Sequence, residues 1–101
     1  MQREYWYSEK ADFREVDQVI GAYKRALIPL YSVAHSPNNV LLKNANKGYF
    51  IIKGTGAKYE FRVDDTGALA IKQIDFFFGV GREAFNRANQ WGRKEADLYK
   101  Y

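Results

Sequence analysis

Apolar and polar positions alternate most cleanly in Lys58-Tyr59-Glu60-Phe61-Arg62-Val63, where Tyr59, Phe61 and Val63 fall on one side and charged residues on the other. Successive strand side chains face opposite ways, so this stretch predicts a strand with one buried and one wet face. Between Asn39 and Phe78 it is one of four apolar segments, separated by Asn44 to Gly48, Gly54-Thr55-Gly56 and Asp64-Asp65-Thr66-Gly67. Glycine, asparagine and aspartate at those breaks supply the positive φ and local side-chain bonds that turns need. The spacing predicts an antiparallel meander of four strands. Tyr49-Phe50-Ile51-Ile52 is apolar on both faces and reads as a central strand. The last segment shifts its apolar phase between Ile71 and Ile74, which calls for a bulge near Lys72-Gln73 or a strand buried on both faces; the bulge is the preferred reading.

A helical period replaces the strand period on either side. Asp12-Phe13-Arg14-Glu15 has capping-box spacing, and Phe13, Val16, Ile20, Tyr23 and Leu27 form one stripe that Pro29 should end. Ala84, Phe85, Ala88, Trp91, Ala96 and Leu98 give a second apolar side over about Arg82 to Tyr99, although Gly92 inside it costs ~1 kcal/mol against alanine. Residues 3–7 can add an edge strand, and 29–39 fit either a short helix or an extended crossover. The expected architecture is a single α+β domain, 1–101. Its four-stranded antiparallel β-meander, five-stranded if residues 3–7 join, packs with an N-terminal and a C-terminal α-helix.

Composition narrows the function classes. With no cysteine there are no disulfides and no thiolate metal sites. No apolar run approaches the ~18–20 residues that span a bilayer, and no signal-peptide core opens the chain, so the expected location is cytoplasmic, without a membrane partner. The aromatic share, 17%, is high, and the net charge is +4.

Catalytic constellations are sparse. His35 is the one histidine; Ser8, Ser32 and Ser36 have no recognisable base nearby, and the expectation for His35 is a surface or loop position. Asp64-Asp65 is explained by a turn. Gly79-Val80-Gly81-Arg82-Glu83-Ala84 matches a dinucleotide fingerprint locally, but no further parallel strand follows, so it reads as a strand-to-helix joint. The expectation is a non-enzymatic domain with no cofactor and no metal.

What remains is charge. Between Asp17 and Glu60 there is no acidic residue, while Lys43, Lys47, Lys53 and Lys58 are interleaved with Tyr49, Phe50 and Tyr59. Lysines pair with phosphates and exposed aromatics stack on bases, so the pattern points to nucleic acid. Arg82, Asn86, Asn89, Gln90 and Arg93 offer a second such face on the C-terminal helix. The expected contacts are Lys43, Lys47, Lys53, Lys58, Arg82, Arg87, Arg93 and Lys94. The alternative is a protein–protein interaction module, a small inhibitor or adaptor or a homodimer, using Tyr5, Trp6, Tyr7, Trp91, Tyr99 and Tyr101.

Overall fold

The structure is a computed structural model that describes residues 19–101 in full and the backbone of 2–6. Among the described residues six strands and one helix follow in the order β1 (Gln2–Trp6), β2 (Ser32–His35), β3 (Lys47–Ile52), β4 (Lys58–Thr66), β5 (Ile74–Val80), α1 (Gly81–Trp91) and β6 (Ala96–Lys100). They form one mixed sheet in the order β1-β5-β2-β4-β3-β6.

This corrects the expected meander. Only β3 and β4 pair as the hairpin that Gly54 and Gly56 suggested, and both glycines take positive φ there. Strands β4 and β5 are not neighbours, because β2 lies between them, parallel to β4 and antiparallel to β5. Strand β1 joins β5 in a second parallel pair at the sheet's edge, where residues 3–7 were expected to add a strand. The first expected strand, around Asn39 to Lys43, is a run of turns. Strand β2 was hidden because its apolar signal is two residues, Val33 and Ala34, too short for any period to show.

Both expected helices change as well. The N-terminal one begins outside the described residues, with Phe13 and Val16 among those not described. Its later part, Ile20 to Leu27, is a tight loop closed by an Ile20–Ala26 bridge, with Lys24 at φ 67°. The helical stripe is divided there: Leu27 is buried while Ile20 is 53% exposed. At the other end, the helix stops at Gly92, whose positive φ and N–H bond to the Ala88 carbonyl are a usual helix terminus. Residues expected in its last turns become β6, which satisfies the open edge of β3 from Gly48 to Ile52. Among the described residues no side chain caps the start of α1; Gly79 (φ 111°) and Gly81 (φ 88°) make the joint that the sequence suggested.

The core lies on one face of β2, β4 and β5. Val33, Phe61, Val63, Ile74 and Phe76 meet Phe50 and Ile52 of β3, and Ala84 and Ala88 let α1 approach closely. Phe76 sits edge-on to Phe50 at 5.1 Å and to Phe78 at 5.8 Å, the arrangement that ring quadrupoles favour. Burying each such ring contributes about 2–3 kcal/mol. The phase shift near Lys72-Gln73 has no bulge behind it. Residues 71–73 are turn, Ile71 is 58% exposed, and β5 is buried on both faces from Ile74 onward.

Candidate functional site

The bulge is elsewhere. Along β2 and β4, Val33 pairs with Val63 but Ala34 pairs with Asp65, so Asp64 is an extra residue in β4. An extra residue lets two consecutive side chains share a face. Arg62 is opposite Ser32 and Asp65 is opposite Ala34, two positions that lie on one side of β2. Asp64 joins them there, its Oδ2 accepting from Ser32 Oγ at 2.5 Å. Across β2, Asp75 of β5 is also opposite Ala34. Three aspartates thus lie on the face opposite the phenylalanine core, all buried: Asp64 at 0%, Asp65 at 5% and Asp75 at 9% exposure.

Their surroundings separate their roles. Asp64 is fixed: Oδ1 accepts from Arg62 Nε at 2.6 Å and Arg25 Nε at 2.8 Å, in addition to the serine bond on Oδ2. Burial pushes its carboxyl up, but the bonds from Arg62, Ser32 and Arg25 together outweigh that and hold it below the ordinary carboxylate range. The same contact raises the Arg62 guanidinium. Asp64 therefore stays ionised, with its oxygens occupied.

Asp65 is held through one oxygen only. Its Oδ1 accepts from the backbone N–H of Ala22 at 2.7 Å and of Thr66 at 2.9 Å. Oδ2 is buried with no hydrogen-bond partner among the described residues. The loop over this face fits because residue 21 is glycine: a Cβ there would come 2.3 Å from the Asp64 carbonyl oxygen and 3.2 Å from Asp65 Cβ. Asp75 stands two strand spacings from Asp65, about 10 Å between Cα atoms.

His35 is on the other face, opposite Ile74, and is buried rather than at the surface as its sequence suggested. Its Nε2 is 2.7 Å from Tyr23 Oη, and both line a cavity of about 430 Å³ with Leu42, Asn39 and Asn44. Burial lowers its pKa, outweighing an opposite pull from the Ser36 backbone. Ser32 and His35 face opposite sides of β2 and do not form a nucleophile–base pair. The Asp64-Asp65 turn expected from sequence is strand, ending at Thr66. Asp75 carried no signal beyond being an acid inside an apolar run.

Of the basic residues expected to bind nucleic acid, Arg87 and Lys94 line one cleft. Lys47 is opposite Arg62 and Lys58 opposite Ile51, four positions apart on β3, or roughly 13 Å. Lys53 lies 3.8 Å from Asp97, and Lys58 sits 4.3 Å from the centre of the Tyr49 ring. Lys43 is in the turn before β3, Arg82 and Arg87 are on α1, and Arg93 and Lys94 follow it, with Arg87 3.6 Å from Glu83. Of the aromatics, Tyr99 stacks on Tyr49 at 4.9 Å and Tyr101 donates to Glu60, while Trp91 packs against the core. Side chains of Tyr5, Trp6 and Tyr7 lie outside the described residues.

No family model matches the chain, and neither does any curated protein. Solved structures do. A lytic transglycosylase of Burkholderia pseudomallei, LtgG, superposes with a TM-score of 0.65 at 20% identity, over 86% of this chain and 27% of that one. MltA from Neisseria gonorrhoeae superposes with a TM-score of 0.62 at 22% identity, over 86% and 24%. The fold is thus one found within enzymes, and the chain spans about a quarter of each of their lengths. These likenesses overturn the expected non-enzymatic nucleic-acid-binding domain and its protein-interaction alternative. Among the described residues no helix is long and apolar enough to cross a membrane.

Proposed function

We propose that this chain carries the acid–base part of a glycosyl-transferring site of the lytic-transglycosylase kind. Asp75 is the proton-transfer group and Asp65 the carboxylate facing it across Ala34. The observation that supports the reading is the alignment of Asp65 and Asp75 across Ala34 on a polar face that the bulge at Asp64 creates. Breaking a glycosidic bond requires a proton on the leaving oxygen, and a positioned carboxyl that can gain and lose one supplies it. Asp64 is unsuited, since two guanidiniums and a hydroxyl hold it ionised. Asp75 is the most exposed of the three. Asp64 instead stiffens the bulge that sets the direction of Asp65.

The test is release of soluble fragments from an insoluble cell-wall glycan by the protein and its Asp75→Asn, Asp65→Asn and Asp64→Asn variants. Asp75→Asn should lower the rate ~10²–10⁴-fold with its circular dichroism and melting temperature retained. Asp65→Asn should show a smaller loss, and Asp64→Asn mainly a lower melting temperature. Full activity in Asp75→Asn would overturn the assignment.

A further inference from the structure

A second concavity lies on the other side of the sheet from the aspartates. It opens between α1 and the β3–β4 hairpin, with a volume of about 570 Å³, within the range of small-molecule sites. Phe78 lines it from β5, three residues beyond Asp75 and therefore on the opposite face. Ile52, Tyr59 and Phe78 make its walls, with Leu30 and Trp91.

Its charge goes beyond an apolar gap. Among the described residues the charged lining is of one sign: Arg87 and Lys94 contribute, with the Gln90 amide, and no acidic residue lines the space. Lys94 Nζ stands 5.2 Å from the centre of the Trp91 ring, which places a cation over the indole that lines the cleft. Arg87 is 59% exposed, and its contact with the 93%-exposed Glu83 is the weak kind that an incoming anion displaces.

We propose that this cleft binds an amphipathic carboxylate. The apolar body lies against Ile52, Tyr59 and Phe78, and the carboxylate pairs with Arg87 and Lys94, within reach of the Gln90 amide. Apolar walls give the site its capacity; the cations give it selectivity for a charged end over a neutral one.

Decanoate and decanol, below their micellar and solubility limits, are the probes, and nitrogen-15 NMR of the folded protein is the readout. A Trp91→Phe variant identifies the Trp91 indole resonance. Decanoate should move that resonance and the Ile52 and Tyr59 amides saturably, and decanol should bind about tenfold more weakly or worse, a difference of about 1.4 kcal/mol. Arg87→Gln combined with Lys94→Gln should erase the preference while leaving the spectrum folded. Asp75→Asn should bind decanoate like the parent, which keeps this proposal separate from the glycan reading. Equal affinity for the two probes, or an indole resonance that decanoate does not move, would overturn it.

Discussion

The two faces of β2, β4 and β5 are built from the same short strands, yet they do opposite things. One carries Val33, Phe61, Val63 and Phe76, packed dry against Phe50 and α1. The other carries Ser32, Arg62, Asp64, Asp65 and Asp75, equally buried in its centre but ionic. Perfect alternation along β4 would put only one of Asp64 and Asp65 on the polar side. The bulge lets both lie there without disturbing Phe61 and Val63 on the core side. A one-residue irregularity thus puts two carboxylates instead of one on the polar side of the strand.

Truncation in the core should give the largest effect on stability. Phe61→Ala and Phe76→Ala, both at fully buried positions, should each cost ~3–5 kcal/mol in urea unfolding. A cost under 1 kcal/mol at Phe61 would mean the strand phase is misplaced. On the polar face, Arg62→Met leaves Asp64 with less compensation, and the expected loss is about 2–3 kcal/mol, reduced from a fully buried pair because Arg62 is 22% exposed. If the variant is as stable as the parent, the two faces are not equally committed to the fold.

Acidity distinguishes the faces further. Asp64 has a folded pKa below its unfolded value of about 3.9, so its contribution is full above that value and is lost as pH falls through the folded pKa. His35 has a folded pKa lowered by burial, so below about 6.5 the unfolded state takes up a proton that the folded state refuses, and stability falls. Melting temperature followed from pH 7 to pH 5 should therefore decline, and His35→Gln should flatten that decline. An unchanged slope would remove His35 as its source. Smallest of all, Lys58→Gln loses a cation over the Tyr49 ring at an exposed site, worth ~0.5 kcal/mol in a thermal melt.

Local pattern reported local structure well. Lys58 to Val63 is strand with the phase its alternation required, Gly54 and Gly56 form the hairpin, and Gly79 to Ala84 joins strand to helix. The failures share a cause. Ile20, Tyr23 and Leu27 have helical spacing, but Gly21 and the bonds from Ala22 and Arg25 to Asp65 and Asp64 draw that segment across the sheet instead. Ala96 and Leu98 continue a helical stripe on paper, but the free edge of β3 offers ladder bonds that a helix past Gly92 could not. Lys53, from the acid-free stretch of sequence, meets Asp97 from a distant segment. For the candidate site, Asp64 and Asp65 were visible as a pair, but their role was not, because a turn explains two aspartates equally well.

By itself the sequence determined the β3–β4 hairpin, the buried phase of β4, the joint before α1 and the absence of thiol chemistry, since each depends on residues within one turn or one strand. Only the tertiary structure decided that β2 separates β4 from β5, that Asp75 aligns with Asp65 across Ala34, and that Arg87 and Lys94 come to one cleft. The physical reason is pairing. Register between strands is a relation of segments some thirty to forty residues apart, and periodicity along a single segment holds no record of its partner.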